Sequence, residues 1–238
     1  MKALILAAGL GSRLKQNTAD CPKALVKIGG RPILAWQLEA LIEEGITEIG
    51  IVLGYHGEMI PKFVRKEFPK LDVAYFQNPE YESTNSTYSF WQAREWVQGG
   101  SAIHLNCDIL FSKKILKRLL ESPHENVIAV RTGLPLGGRM EHVTLNGDRI
   151  TQMSLTQESE SVGKAFGVAK FGPSHFDFVC RHIEEHLQDG IKKEHYFGII
   201  RESVKSLDYR ALIASSDLLL EVNTVDDLHA VEDILKNK

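Results

Sequence analysis

The chain has little cysteine: Cys21, Cys107 and Cys180 are three in 238 residues, odd in number, widely spaced and without a Cys-x-x-Cys pair. This argues against a disulfide framework and against a cysteine zinc site. An excess of charge of either sign is also missing, with 28 Lys+Arg against 31 Asp+Glu and a formal net charge of -3. No global field draws the chain to nucleic acid or to an anionic membrane, so neither is expected as a partner and small-molecule chemistry is. Long hydrophobic runs are lacking too. The apolar stretch after Met1-Lys2 is cut by glycines and then by Arg13, which leaves it too short for the core of a signal peptide. It reads as a strand, and the protein is expected in the cytoplasm. The nine histidines are read as surface and core residues that support neither a zinc site nor a histidine nucleophile. Repeats, low-complexity tracts and linkers are absent, and 43% hydrophobic with 25% charged residues is ordinary globular composition. A single domain over 1–238 is the expectation.

What is present begins at Leu6-Ala7-Ala8-Gly9-Leu10-Gly11-Ser12-Arg13-Leu14, followed by Pro22-Lys23-Ala24-Leu25. An apolar run over 3–7 leads into two glycines, a hydroxyl and a guanidinium, so backbone N–H groups and a cation can face one anion. A dinucleotide fingerprint requires a third glycine where Leu14 stands, and a Walker loop requires Gly-Lys-Ser/Thr where Gly11-Ser12-Arg13 stands. Both readings fail. Two cations beside a glycine-rich loop at a strand's carboxyl end still point to phosphate, because open α/β sheets bind ligands at that edge.

The rest of the first half has βαβ rhythm: strands over 2–7, 48–53 and 72–76 alternate with helices over 32–44 and 57–68. Pro32 suits a first helical turn and Gly45 a left-handed end. A helix over 86–97 and a strand over 101–106 follow, with Asp108 just beyond that strand. After a strand over 127–131 the rhythm changes. Residues 141–154 read as a hairpin turning at Asn146-Gly147, then come a strand over 164–171, helices over 173–188 and 194–205, strands over 207–213 and 218–222, and a helix from Thr224. The expected fold class is α/β, a Rossmann-like, mostly parallel sheet flanked by helices with a small inserted β layer.

Four segments, 6–25, 78–91, 104–111 and 218–228, resemble in content and order the nucleotidyltransferases of sugar 1-phosphates and phosphocholine. The resemblance implies a GT-A-like fold, with 1–131 as the nucleotide-binding half and 132–238 as the acceptor-binding and metal-completing half. It implies that Arg13 grips the departing pyrophosphate and that Lys23 bridges the α-phosphate and the acceptor phosphate, the two serving as catalytic cations. Leu6, Ala8, Gly9, Gly11, Ser12, Asn85 and Ser86 are the implied nucleotide contacts. Magnesium is the implied cofactor, on Asp108 in His104-Leu105-Asn106-Cys107-Asp108 and on Asn223 and Glu221 in Leu220-Glu221-Val222-Asn223-Thr224. Asn223 stands where the family usually has aspartate, and it is equally placed to cap the helix from Thr224; Thr224 with Asp227 forms a capping box. The implied acceptor residues are Lys23, Tyr81, Tyr88, Trp91, Glu194 and Tyr196, whose aromatic faces and carboxylate suit a cationic head group. Packing of a helix face is the other reading of Tyr88 and Trp91. The expected reaction joins CMP from CTP to a small phosphorylated or phosphonylated alcohol such as phosphocholine or aminoethylphosphonate, releasing pyrophosphate. A sugar-1-phosphate uridylyl- or thymidylyltransferase and a catalytically silent nucleotide-binding subunit are the alternatives, and a homodimer is left open.

Overall fold

A computed structural model describes residues 1–138 and 140–236. Strand β1 (Lys2–Ala7) leaves the sheet through single-turn helices at Ser12–Thr18 and Lys23–Leu25, and a small hairpin, β2 (Lys27–Ile28) and β3 (Arg31–Pro32), opens into α1 (Ile33–Glu43). Gly45, at φ +75°, closes α1, with the N–H groups of Gly45 and Ile46 returning to the carbonyls of Ile42 and Leu41. Next come β4 (Glu48–Leu53), α2 (Met59–Glu67) and β5 (Val73–Gln77). The single helix expected over 86–97 is two, α3 (Ser86–Trp91) and α4 (Arg94–Val97). The turn tightens between them: Ala93 N–H donates to the Phe90 carbonyl, and the Arg94 guanidinium folds back on the Trp91 carbonyl (2.9 Å).

Strand β6 (Ala102–Asn106) is followed by a short β7 (Ile109–Phe111), α5 (Lys113–Glu121) and β8 (Asn126–Thr132). The hairpin β9 (His142–Asn146) and β10 (Arg149–Ser154) precedes β11 (Gly163–Phe171), α6 (Pro173–Gln188), α7 (Tyr196–Ser203), β12 (Tyr209–Ile213), β13 (Leu219–Glu221) and α8 (Val225–Lys236). Nine strands form one sheet in the order β5-β4-β1-β6-β11-β8-β12-β10-β9. Neighbours from β5 to β6 are parallel, as are β8 and β12, while β11 runs antiparallel to both of its main partners. The inserted hairpin is hydrogen-bonded into this sheet: β10 pairs with β12, and β9 returns to the start of β11. The far half of the sheet therefore curls back on itself.

Period-two alternation puts both faces of β1 in apolar surroundings. Ala3, Ile5 and Ala7 pack with Leu34 and Leu38 of α1, Ile60 of α2 and Leu116 of α5; Leu4 and Leu6 pack with Phe90 of α3, Val179 of α6 and Ile200 of α7. A third, smaller core joins Leu14, Ile28, Ile33, Leu110, Val222 and Leu228. It ties the signature loop, the β2–β3 hairpin and the β7–β13 pair into one body. Leu14, where a dinucleotide fingerprint would have glycine, is the fully buried anchor of that loop.

One expectation about the histidines is corrected by α6. His182 and His186 are four residues apart and so share one helix face, and both turn their rings to Glu194. These two imidazoles are neither independent surface residues nor core fillers.

Candidate active site

The cleft forms where β1, β6 and β13 end. Gly11 takes a left-handed φ of +63°, and a Cβ there would meet Thr18 Cγ2 at 3.1 Å and Lys23 Cβ at 3.2 Å, so glycine lets the loop fold tightly over Lys23. Gly9 has nothing within 4 Å of a built Cβ and leaves backbone open to a ligand. Gly54 keeps the neighbouring β4 exit close, since a Cβ there would lie 2.3 Å from the Ala8 carbonyl oxygen. That same carbonyl accepts from Tyr55 N–H (3.1 Å), which fixes the loop's first turn.

Asp108 and Asn223 are 115 positions apart, and strand register joins them. Glu221 pairs with Ile109 in the β13–β7 ladder, and Val222 N–H donates to the Asp108 carbonyl (2.9 Å). Lys23 Nζ then donates to Asp108 Oδ2 (2.6 Å) and to Asn223 Oδ1 (2.8 Å), and Arg13 Nη2 donates to the same Asn223 oxygen (2.7 Å). The cap of α8 is made by others: Asp227 accepts from the N–H groups of Asn223 and Thr224, and Thr224 Oγ1 accepts from Asp227 N–H. The Asn223 side chain is thereby released to the cleft.

Asp108 Oδ1 is buried and accepts no hydrogen bond. Burial raises the Asp108 carboxyl above its ordinary range and Glu221 adds to this, against the opposing pull of Lys23. Burial also pushes Glu221 upward, but Lys164, whose ammonium donates at 2.6 Å, together with Asn223 and Lys23 outweighs it and leaves that carboxyl low. Burial drives the neighbouring Cys107 thiol up to about 12, so no thiolate nucleophile is on offer.

A cavity of about 500 Å³ brings together Leu6, Ala8, Gly9, Gly11, Ser12, Arg13, Lys23, Asn85, Ser86, Asp108, Glu221 and Asn223, every residue expected for nucleotide, cations and metal. Asn85 caps α3 through Ser86 N–H (2.8 Å), and Ser86 Oγ accepts from Tyr196 N–H (2.9 Å), so the two also brace the cleft wall.

The expected acceptor residues do not converge. Tyr81 and Lys23 line this cavity, whereas Tyr196 is buried in the core, its ring stacked on His104 and its hydroxyl against His175 Nε2 (2.7 Å). Tyr88 donates to Glu80 Oε1 (2.7 Å) beside Lys192, Trp91 lies under the Arg94 guanidinium, and Glu194 faces His182 and His186. The resemblance implies that all four rings face the acceptor, and three of them are held by the fold instead. The second cavity, about 410 Å³, adjoins the first across Arg13, Asn106, His195 and Asn223; its far wall holds Glu141, Lys164, Phe166, Phe197 and Arg201. Arg201 clasps Glu141 at 2.7 Å, and Lys164 lies over the Phe166 ring while it pairs with Glu221. Burial raises the Glu141 carboxyl, with Arg201 opposing.

Two further residues escaped the sequence reading. Gln37 of α1, 1% exposed, donates from Nε2 to the carbonyls of Asn106 and Ile109 (2.9 Å each), clamping the turn that carries Asp108. An amide on the apolar face of α1 was its available signal. His195 borders both cavities and meets Asn85 Nδ2 at 3.1 Å.

Comparison with known proteins places this geometry in a family. Residues 3–167 match the model of the MobA-like NTP transferase domain. The choline-phosphate cytidylyltransferase of Streptococcus pneumoniae is 28% identical over 239 residues, covering 100% of both chains. The CMP-5'-(3-aminopropyl)phosphonate synthase of Streptomyces rubellomurinus is 33% identical over 148 residues, 62% of this chain and 23% of that one. The solved structure of CTP:phosphocholine cytidylyltransferase from Streptococcus pneumoniae superposes with a TM-score of 0.79 at 21% identity, covering 98% of each chain. The Rossmann-like α/β fold is shared, and the chain belongs to the family of MobA-like NTP transferase domains, a nucleotidyltransferase.

Proposed function

We propose that the protein transfers CMP from CTP to a small phosphorylated or phosphonylated acceptor that carries an ammonium group, releasing pyrophosphate. The observation that supports this reading is the adjacency of the two cavities across Arg13 and Asn223, which leaves room for an acceptor beside a bound triphosphate. An acceptor phosphate oxygen attacks the α-phosphorus and forms the new P–O bond. The bond to the β-phosphate's bridging oxygen breaks as it forms, and its electron pair leaves with pyrophosphate. Lys23, at the floor of the cleft, is suited to neutralise the α-phosphate and the attacking oxygen. Arg13, exposed on the loop, is suited to a bidentate grip on the leaving group. Lys23 rests on Asp108 and Asn223 and Arg13 on Asn223, so both cations are already oriented before charge develops.

Magnesium fits the oxygens assembled here, because the buried Asp108 Oδ1 lacks any donor and Glu221 and Asn223 Oδ1 lie in the same cleft. Asp108 would be the principal ligand, with Asn223 and Glu221 beside it, and the ion would supply charge neutralisation on the triphosphate.

On the acceptor side, Lys164 and Arg201 suit the anionic group, and Glu141 suits an ammonium. The acceptors in the relatives' names, choline phosphate and an aminopropylphosphonate, combine those two charges in one small molecule. Pyrophosphate release is the test, with CTP, UTP, dTTP and GTP each offered phosphocholine, aminoethylphosphonate and glucose 1-phosphate. The reading expects the highest kcat/KM with CTP and a zwitterionic acceptor. A preference for the sugar phosphate would overturn the acceptor, and no pyrophosphate with any pair would overturn catalysis.

A further inference from the structure

Away from the cleft, α6 and the segment before α7 bring two imidazoles and a carboxylate together. His182 Nε2 lies 3.3 Å from the Glu194 carboxylate, and His186 Nδ1 lies 3.0 Å from Glu194 Oε2. One donor atom from each of the three residues falls within 4.8 Å of the others, the one cluster of three His, Cys, Asp or Glu ligands among the described residues. We infer that His182, His186 and Glu194 form a site for a divalent transition metal, zinc foremost, that fastens α6 to the segment bracing the cleft.

Ligand chemistry supports zinc over magnesium, because two imidazoles and one carboxylate are borderline-soft donors while magnesium requires oxygens. Geometry supports it as well. Bonds of about 2.0–2.1 Å in a tetrahedral shell set neighbouring ligand atoms about 3.3 Å apart, and the two nitrogen–carboxylate separations here are 3.0 and 3.3 Å. The other ring nitrogen of His182, Nδ1, faces Glu202 Oε2 at 3.7 Å, beyond hydrogen-bond distance but close enough for the carboxylate to close on it when the opposite nitrogen takes a metal. Glu194 and Glu202 both line a cavity of about 740 Å³, which gives a hydrated ion its way in and leaves room for water in the fourth position.

The consequence for the cleft runs through backbone. The carbonyls of Lys192 and Glu194 accept from Asn85 and Thr87 N–H (3.2 and 3.3 Å), and Tyr196 N–H donates to Ser86 Oγ. Metal at Glu194 would hold this segment at its centre, and with it the start of α3.

The competing account is a pair of imidazole–carboxylate hydrogen bonds with no ion. Chelator-stripped full-length protein titrated with zinc chloride, with magnesium chloride as control, separates the two. One zinc per chain is expected, with Tm rising by roughly 5 °C or more at saturation and no rise with magnesium at the same concentration. His186→Ala, at a partly exposed position, and Glu194→Gln, which keeps its shape, should each weaken zinc binding at least about tenfold. Cobalt should give the absorption of nitrogen and oxygen ligation without a thiolate charge-transfer band. The inference is overturned by no stoichiometric zinc, by unchanged binding in both variants, or by thiolate absorption, which would move the ion to a cysteine. Because no activity is read, the outcome is independent of which nucleotide or acceptor the cleft takes.

Discussion

Lowering the pH should destabilise the protein through an imidazole buried behind the cleft. His104, in the middle of β6, is 1% exposed; its ring stacks on Tyr196 with centroids 4.7 Å apart, its Nε2 meets Asn106 Oδ1 at 3.1 Å and its Nδ1 has no partner. Burial drives its pKa down from 6.5 to about 4, although the contact with Asn106 pulls the other way. The sign follows from proton counting. Between those values the unfolded imidazole is protonated and the folded one is not, so stability is full above 6.5 and is lost as pH falls toward 4. A shift from 6.5 to about 4, at about 1.4 kcal/mol per unit, amounts to about 3–4 kcal/mol. That is a large share of a typical total of about 5–15 kcal/mol. His175, also lowered by burial and by its proximity to His104, acts in the same direction. Asp108 and Glu141, raised by burial, act in the opposite direction, so the absolute slope mixes terms. The comparison that isolates the imidazole is urea unfolding of wild type and His104→Phe across this pH range. Removing the ring should reduce the dependence by about one proton, close to 1.4 kcal/mol per pH unit near the middle of the window. Equal slopes would refute the reasoning, as would an NMR titration of the His104 ring with its midpoint near 6.5.

The cleft yields three more expectations. Asp108→Asn should lower turnover about a hundredfold or more with the circular dichroism spectrum unchanged; in wild type, the magnesium needed for half-maximal rate should rise as pH falls, starting above the ordinary aspartate range, because protons compete for a carboxyl that burial has raised. Lys23→Met should lower both kcat/KM and stability, since it leaves the Asp108 carboxylate, 16% exposed, without its 2.6 Å partner, whereas Arg13→Ala should lower kcat/KM by several kcal/mol of transition-state energy with little change in Tm. Arg201→Met should raise the acceptor KM and leave the CTP KM in place, because Arg201 borders only the second of the two cavities; equal effects on both constants would remove it from the acceptor wall.

The elements that the sequence made legible are those whose burial pattern is simple. β1 and β4 lie inside the sheet with nearly every residue buried, and their apolar runs end where the chain leaves the core. α6 begins at Pro173 and carries a regular apolar stripe. β7 and β13 are three residues each, too short for any period to show, yet their pairing is what joins Asp108 to Asn223. The break between α3 and α4 was equally hidden, because it is a local tightening of the turn, with Ala93 N–H on the Phe90 carbonyl and Arg94 on the Trp91 carbonyl, that leaves no mark in the residue pattern.

The same contrast divides the site. The residues of the proposed nucleotide side were legible because the loop's constraints lie in its backbone: a left-handed glycine, an open glycine and a cation two residues on are features of local chain geometry, and they leave a local mark. The acceptor wall has no such mark. Glu141, Lys164 and Arg201 come from the approach to β9, from β11 and from α7, and they share only a direction, inward to one cavity. Tyr196 shows how a resemblance misleads in that situation, since the family's acidic and aromatic pair implies an acceptor contact, while here the ring stacks on His104 and the hydroxyl meets His175. Glu141 and Arg201 pair with each other and touch neither the loop nor the Lys23–Asp108 pair, whereas Lys164 is tied through Glu221 to β13, so on the proposed reading the Arg201–Glu141 side is the freer one to vary with the acceptor. On the proposed reading, an acceptor entering this cavity has to break or bridge the ion pairs Arg201–Glu141 and Lys164–Glu221, which makes these pairs the first place to look for acceptor choice.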